Sequence, residues 1–169
     1  HEEKGILWIK NRIFSKEGWK SRNLDQALLM GMFLGLCAFW NGAAVIGGLL
    51  ILCGFAIFSD GKVDYAVMAG ISIFFSWLQS KIFIVGSAMS PQIYLGFLAE
   101  DKTVPGIVKY LFWMSGVFFL GLVLMVWFMR RRERAILVSF LFPAIFAFVL
   151  LMTPDINVNH KYIMISYAF

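Results

Sequence analysis

Residues 117–129, "VFFLGLVLMVWFM", carry no charge and almost nothing that can hydrogen-bond through a side chain, and the next five residues are "RRRER". Similar apolar runs cover 24–40, 43–58, 64–86 and 135–152, and another begins at Tyr162. Such runs restrict the chain severely. In a bilayer every backbone N–H and C=O must find a partner inside its own segment, which leaves helices or closed barrels. The runs are continuous rather than alternating, so they read as helices. Composition agrees: 60% of the 169 residues are hydrophobic and only 15% are charged, against about 45–50% and about 25% in soluble domains. The expected fold class is all-α, a polytopic transmembrane helical bundle with about five complete spans and a truncated sixth.

Punctuation sets the order. Residues 1–23 form a basic segment in which Ile6, Leu7, Trp8, Ile9, Ile13 and Phe14 alternate with Lys4, Lys10, Arg12, Lys16, Lys20 and Arg22. It is too short in apolar residues to span. It fits either a segment lying among headgroups, anchored by Trp8 and Trp19, or a solvated cytoplasmic loop. Residues 24–169 form the transmembrane domain, read as a fragment of a larger protein. Asn41-Gly42 marks a turn between two short spans, expected to pack as a hairpin. Gly31-x-x-x-Gly35 on the first span and Ala43, Ala44, Gly47 and Gly48 on the second would let the two backbones approach. Ser59 to Lys62 reads as a short loop. The third span carries Ser72, Ser76 and Ser80 at four-residue spacing, together with Gln79 and Lys81. A loop with Pro91 and Pro105 holds Glu100 and Asp101. A fourth span covers 107–128, and Pro143 should kink the fifth.

Charge orients the whole. With the N-terminus inside, eleven of the fifteen Lys and Arg lie on the inner side, as the positive-inside rule requires. The first segment is then cytoplasmic, and Asp155–Lys161 and the Glu100-Asp101 loop are extracytoplasmic. The expected setting is a bacterial plasma membrane. The net charge of +5 is explained by inner loops meeting anionic lipid. No basic stripe interleaves with aromatics in the manner of a nucleic-acid binder. Cys37 and Cys53 have no metal-ligand spacing and read as small buried hydrophobes. No metal site is expected, though the chemistry leaves room for a divalent cation.

"TPDINVNHKYIMIS", Thr153 to Ser166, gathers Asp155, Asn157, Asn159, His160 and Lys161 at the mouth of the last apolar segment. It is no calcium loop: His160 stands where an EF-hand needs Gly, and Ser166 where it needs Glu. A carboxylate, amides and cations together can hold a phosphate or sugar hydroxyls. They can equally cap and solvate a helix entrance.

"FWNGAAVIGGLLIL", "IYLGFLAED", "YLFWMSGVFFLGLVL", the Arg cluster and "TPDINVNHKYIMIS", taken in that order, resemble the later transmembrane region of bacterial membrane proteins related to the GT-C glycosyltransferases. The resemblance covers residues 24–169. It implies a glycosyltransferase using a polyprenyl-phosphate-linked sugar on the extracytoplasmic side. Asp155, Asn159, His160 and Lys161 would bind that donor, His160 and Lys161 at its phosphate. The catalytic acid of such enzymes typically lies in an earlier outer loop, absent from these residues; Glu100 and Asp101 are the local candidates. Ala43 or Ala44, and Met114, stand where relatives often carry His or Asn. Two other functions fit the residues: a transporter or flippase using the polar third span, and a non-catalytic scaffold subunit. The sugar, the acceptor and the oligomeric state are not encoded in any motif.

Overall fold

A computed structural model describes residues 5–83, 91–153 and 155–167, which are mostly helical. The chain divides into two units, His1–Gly86 and Ser87–Phe169.

The first unit holds α1 (Gly5–Phe14), α2 (Leu24–Leu36), α3 (Gly42–Phe58) and α4 (Lys62–Phe83). The expected third span ran to about residue 86; residues 84–86 lie outside the described residues. Asn41 starts α3 as the turn signal requires, its side-chain oxygen accepting from the Ala43 N–H at 3.1 Å. Gly61, at φ +80°, makes the turn into α4, a conformation open to glycine at no steric cost.

The glycines of α2 do not face α3 as the hairpin expectation had it. They face α4. A Cβ on Gly31 would stand 3.0 Å from the Cα and carbonyl oxygen of Met68, and one on Gly35 would stand 2.7 Å from Phe75 Cβ. Ser72 is fully buried in this seam. Its hydroxyl lies 3.0 Å from the Gly31 carbonyl oxygen and 2.8 Å from that of Met68, and shares its proton between them. Ser76 bonds back to Ser72 O at 2.8 Å. The serine periodicity therefore serves a close helix crossing and the helix's own backbone. Gly48 of α3 does take up the expected pairing, closing on the Leu34 side chain. Cys37 and Cys53 are free and exposed, not buried as expected.

The second unit holds β1 (Gln92–Ile93), α5 (Val104–Ser115), α6 (Val117–Phe128), α7 (Arg131–Val149), β2 (Leu150–Leu151) and α8 (His160–Ser166). The expected continuous span 107–128 is two helices bent by 106°. Gly116 makes the break at φ +55° and ψ −132°, where a side chain would be strained. "RRRER" is not a free loop. Arg131 opens α7, the Arg130 N–H donates to Glu133 Oε2 at 3.1 Å, and Arg134 reaches back to Met129 O at 3.1 Å. Pro143 lies inside α7 as expected, and beside it the Ala144 N–H is taken by Ser166 Oγ of α8 at 2.9 Å. The C-terminal end of α7 is clasped from upstream. β1 pairs antiparallel with β2, Gln92 opposite Leu151, while the N–H groups of Tyr94 and Gly96 donate to Val149 O and Phe148 O at 2.9 and 2.8 Å. Phe97 and Tyr110 pack on Phe148.

Among the described residues one helix, Lys62–Phe83, is long and apolar enough to cross a membrane alone; α5 and α6 pass the same test only when taken together. The helices α2 and α3 are apolar but shorter, so the five complete spans read from the sequence are not all present as long apolar helices.

Candidate functional site

The turn before α8 is built by side chains bonding to nearby backbone. Asp155 opens a 3-10 turn, Ile156–Asn159. Its Oδ1 accepts from the Asn157 N–H at 2.9 Å and from Asn157 Nδ2 at 2.8 Å, an Asx turn of the kind aspartate favours. Thr153 Oγ1 donates to Asp155 O at 2.7 Å; Pro154 lies outside the described residues. His160 Nδ1 bonds the Asn157 carbonyl oxygen. A carbonyl can only accept, so Nδ1 carries a proton and Nε2 is the ring nitrogen left outward. Lys161 is exposed and has no hydrogen bond or ion pair among the described residues.

Asp155, His160 and Lys161 are thus gathered on one exposed turn, and Asn159 is not with them. It is fully buried, and its Nδ2 donates to the carbonyls of Ala147 and Leu150 at the end of α7, at 3.2 and 2.5 Å. A 3-10 turn advances about 120° per residue, so Asn159 can point inward beside the exposed His160. Asn159 Oδ1 is buried without a partner.

The acidic candidates of the preceding loop differ from each other. Asp101 accepts from the Thr103 N–H at 2.9 Å and from its hydroxyl at 2.8 Å, while Thr103 in turn caps α5. Those bonds, the backbone N–H first, hold its carboxyl below the ordinary carboxylate range. A lowered pKa makes a weaker general base, and both oxygens are already engaged. Gly106 permits this fold-back: a Cβ there would meet Asp101 O at 2.5 Å. Glu100 is exposed and makes no hydrogen bond or ion pair among the described residues. Lys102 is exposed and folds back over its own loop, donating to Phe97 O at 2.7 Å, with its ammonium 4.7 Å from the centre of the Tyr94 ring. No three His, Cys, Asp or Glu side chains among the described residues converge as metal ligands. An open apolar hollow lined by Leu122, Val123, Val126, Trp127 and Arg134 contains no carboxylate or nucleophile.

In the first unit lies a polar cluster that sequence reading took for a plain loop. Arg12 grips Asp60 with two bonds, Nε to Oδ1 at 3.0 Å and Nη2 to Oδ2 at 2.7 Å, and Arg22 adds a third at 3.2 Å. Asp64 accepts from the N–H groups of Arg22 and Asn23 at 2.8 and 3.0 Å and from the Ser21 hydroxyl. Lys62 is buried, its ammonium closing the end of α3 on Ala56 O and Ser59 O at 2.7 and 2.8 Å. The available signal was two aspartates four residues apart, bracketing Gly61, in a chain with few acids. Every acid in this cluster is committed to a structural partner.

Comparison with known protein families, with characterised proteins and with solved structures finds no match for this chain.

Proposed function

We propose that the chain is an integral membrane protein with several helices in the bilayer. The observation that carries this is an inverted distribution of side chains. The tightest helix seam is made of Gly31, Gly35 and Ser72. Many large apolar side chains point outward: Trp77 is 55% exposed, Phe118 82% and Trp127 79%. Water would drive those groups inward at about 25 cal/mol per Å². In lipid that drive vanishes, and small residues and interhelical hydrogen bonds hold helices together. The short helices α2 and α3 then reach across a locally thinned bilayer or are shielded by neighbours. The Lys and Arg distribution supports a cytoplasmic first segment and an extracytoplasmic Asp155–Lys161 turn.

Within that setting we propose a glycosyltransferase-like role on a polyprenyl-phosphate-linked sugar. What supports it is the unpaired Lys161, a cationic donor suited to a phosphate, beside His160, whose ring presents Nε2 outward, with Asp155 on the same turn. Asn159 supports the turn from behind. Displacement at the anomeric carbon needs a base on the acceptor hydroxyl and cations on the departing phosphate. Lys161 would supply the second, with His160 beside it at the phosphate; Glu100 is the freer of the two local acids for the first. A scaffold subunit is the second reading, favoured because Asp155 Oδ1, Asn157 Nδ2 and both carboxyl oxygens of Asp101 are spent on local turn and capping bonds. Transport through the third span has less support, since Ser72 and Ser76 bond to helix carbonyls.

The test follows consumption of polyprenyl-phosphate sugars by the protein in proteoliposomes. Wild type is compared with His160→Ala/Lys161→Ala, and folding is checked in parallel. The expected result is donor consumption that falls at least tenfold in the double variant. If donor is consumed equally by both, the turn is no phosphate site. If none is consumed, the scaffold reading takes over.

A further inference from the structure

We infer that α1 and the turn after it form a platform that docks on the anionic lipid surface bordering the first unit. The inference rests on the membrane reading above and adds a binding surface that reading does not require. From Leu7 to Phe14 the side chains of α1 divide into two faces. Trp8, Ile9, Arg12 and Ile13 are half-buried, whereas Leu7, Lys10, Asn11 and Phe14 are exposed. Positions 7, 10, 11 and 14 form one stripe of a helix. Its two apolar members are conspicuously bare, Leu7 at 56% and Phe14 at 76% exposure. Trp19, in the turn Glu17–Trp19, adds a half-exposed ring, while its N–H is spent on Ile13 O at 2.8 Å.

The inward face is fixed and electrically settled. Arg12 and Arg22 meet on Asp60, Asp64 holds the backbone at Arg22 and Asn23, and the Gly61 N–H donates to Gly18 O at 3.0 Å. The outward face is not settled. Lys10 and Lys16 are exposed and have no acidic partner among the described residues; Lys20 is paired with the neighbouring Glu17 at 2.7 Å. Unpaired lysines beside bare Leu, Phe and Trp side chains complement one kind of surface, in which phosphates overlie acyl chains. A water-facing surface would not need Leu7 and Phe14, and an apolar protein groove would not accommodate Lys10 between them. Each lysine near an anionic surface multiplies the docked fraction by about fivefold, so Lys10 and Lys16 together contribute about twenty-five-fold.

The experiment uses the whole chain carrying Cys37→Ala and Cys53→Ala, with a single nitroxide placed at position 7, 14 or 77. The protein is reconstituted in vesicles of phosphatidylcholine with phosphatidylglycerol, and relaxation by oxygen is compared with relaxation by a water-soluble nickel chelate. The expected result is headgroup depth at 7 and 14 and greater depth at 77. Lys10→Gln with Lys16→Gln should raise nickel access at 7 and 14 and leave 77 unchanged. If 7 and 14 are fully open to nickel while 77 is protected, the platform is overturned and the membrane reading stands. If 7 and 14 are closed to both reagents, a protein surface covers the face and the platform is again overturned. If 77 is also open to nickel, the membrane reading fails and this inference fails with it.

Discussion

Replacing Gly35 by alanine adds one methyl group to the place where α2 and α4 come closest. That methyl would sit 2.7 Å from Phe75 Cβ, 3.0 Å from Ser72 Cα and 3.2 Å from Ser72 O. Carbon atoms rest at about 3.5–4.0 Å, so the overlap is close to 1 Å. None of the three opposing atoms lies at the flexible end of a side chain, so the strain must be relieved by moving the helices apart. A separation of about 0.5–1 Å forfeits a quarter to a half of each dispersion contact along the seam. It also stretches the 3.0 Å approach of Ser72 Oγ to Gly31 O beyond hydrogen-bonding range. Overpacking of this kind costs about 1–3 kcal/mol and the lost bond about 1 kcal/mol, against a gain of up to about 1 kcal/mol for removing a helical glycine. The net expectation is destabilisation by about 1–3 kcal/mol. Gly70 on α4 is the control, because a Cβ there meets nothing within 4 Å; Gly70→Ala should be neutral or slightly stabilising. Reversible unfolding in mixed micelles titrated with a denaturing detergent measures both. A Gly35→Ala protein as stable as Gly70→Ala would refute the assignment of this seam.

Two further outcomes follow from the polar clusters. The Arg12 bond first, then the nearby charges of Arg12, Arg22 and Lys62, hold Asp60 below its ordinary range despite partial burial. Its contribution to stability is therefore fully present above the ordinary carboxylate pKa, about 4, and is lost as pH falls through the lower, folded-state value. Asp60→Asn should flatten the acid limb of a stability–pH curve, and an unchanged limb would show that the clamp is idle. Asn159→Ala removes both bonds to the end of α7 and should cost about 2–3 kcal/mol in the same detergent titration, leaving donor turnover per folded molecule unchanged. Turnover lost at full stability would instead make Asn159 a substrate ligand.

Much of the helical content was legible because apolar runs and Asn41-Gly42 punctuation are local signals. Pro143 inside α7 was legible for the same reason. The break at Gly116 was hidden, since "LFWMSGVFFLG" is apolar on both sides and the bend lies in a single positive φ. The partner of the Gly31/Gly35 face was misread as α3, because small residues announce close approach but not to which helix. The inward turn of Asn159 depends on carbonyls at the end of α7, 12 and 9 residues earlier, and no spacing rule reveals them. The clamp on Asp60 joins it to residues 48 and 38 positions away, and single-sequence patterns carry no information about such pairs.

The clasp on the end of α7 has a consequence for the order in which the chain acquires its shape. Tyr94 and Gly96 wait for acceptors at Val149 and Phe148, and Gln92 for Leu151, all of which leave the ribosome more than fifty residues later. Until then the segment 92–96 lacks these partners. Closing so large a loop is an entropic cost borne in one step. The second unit is therefore completed late, and severing the chain after Met129 would leave two halves that each lack the other's hydrogen-bonding edge.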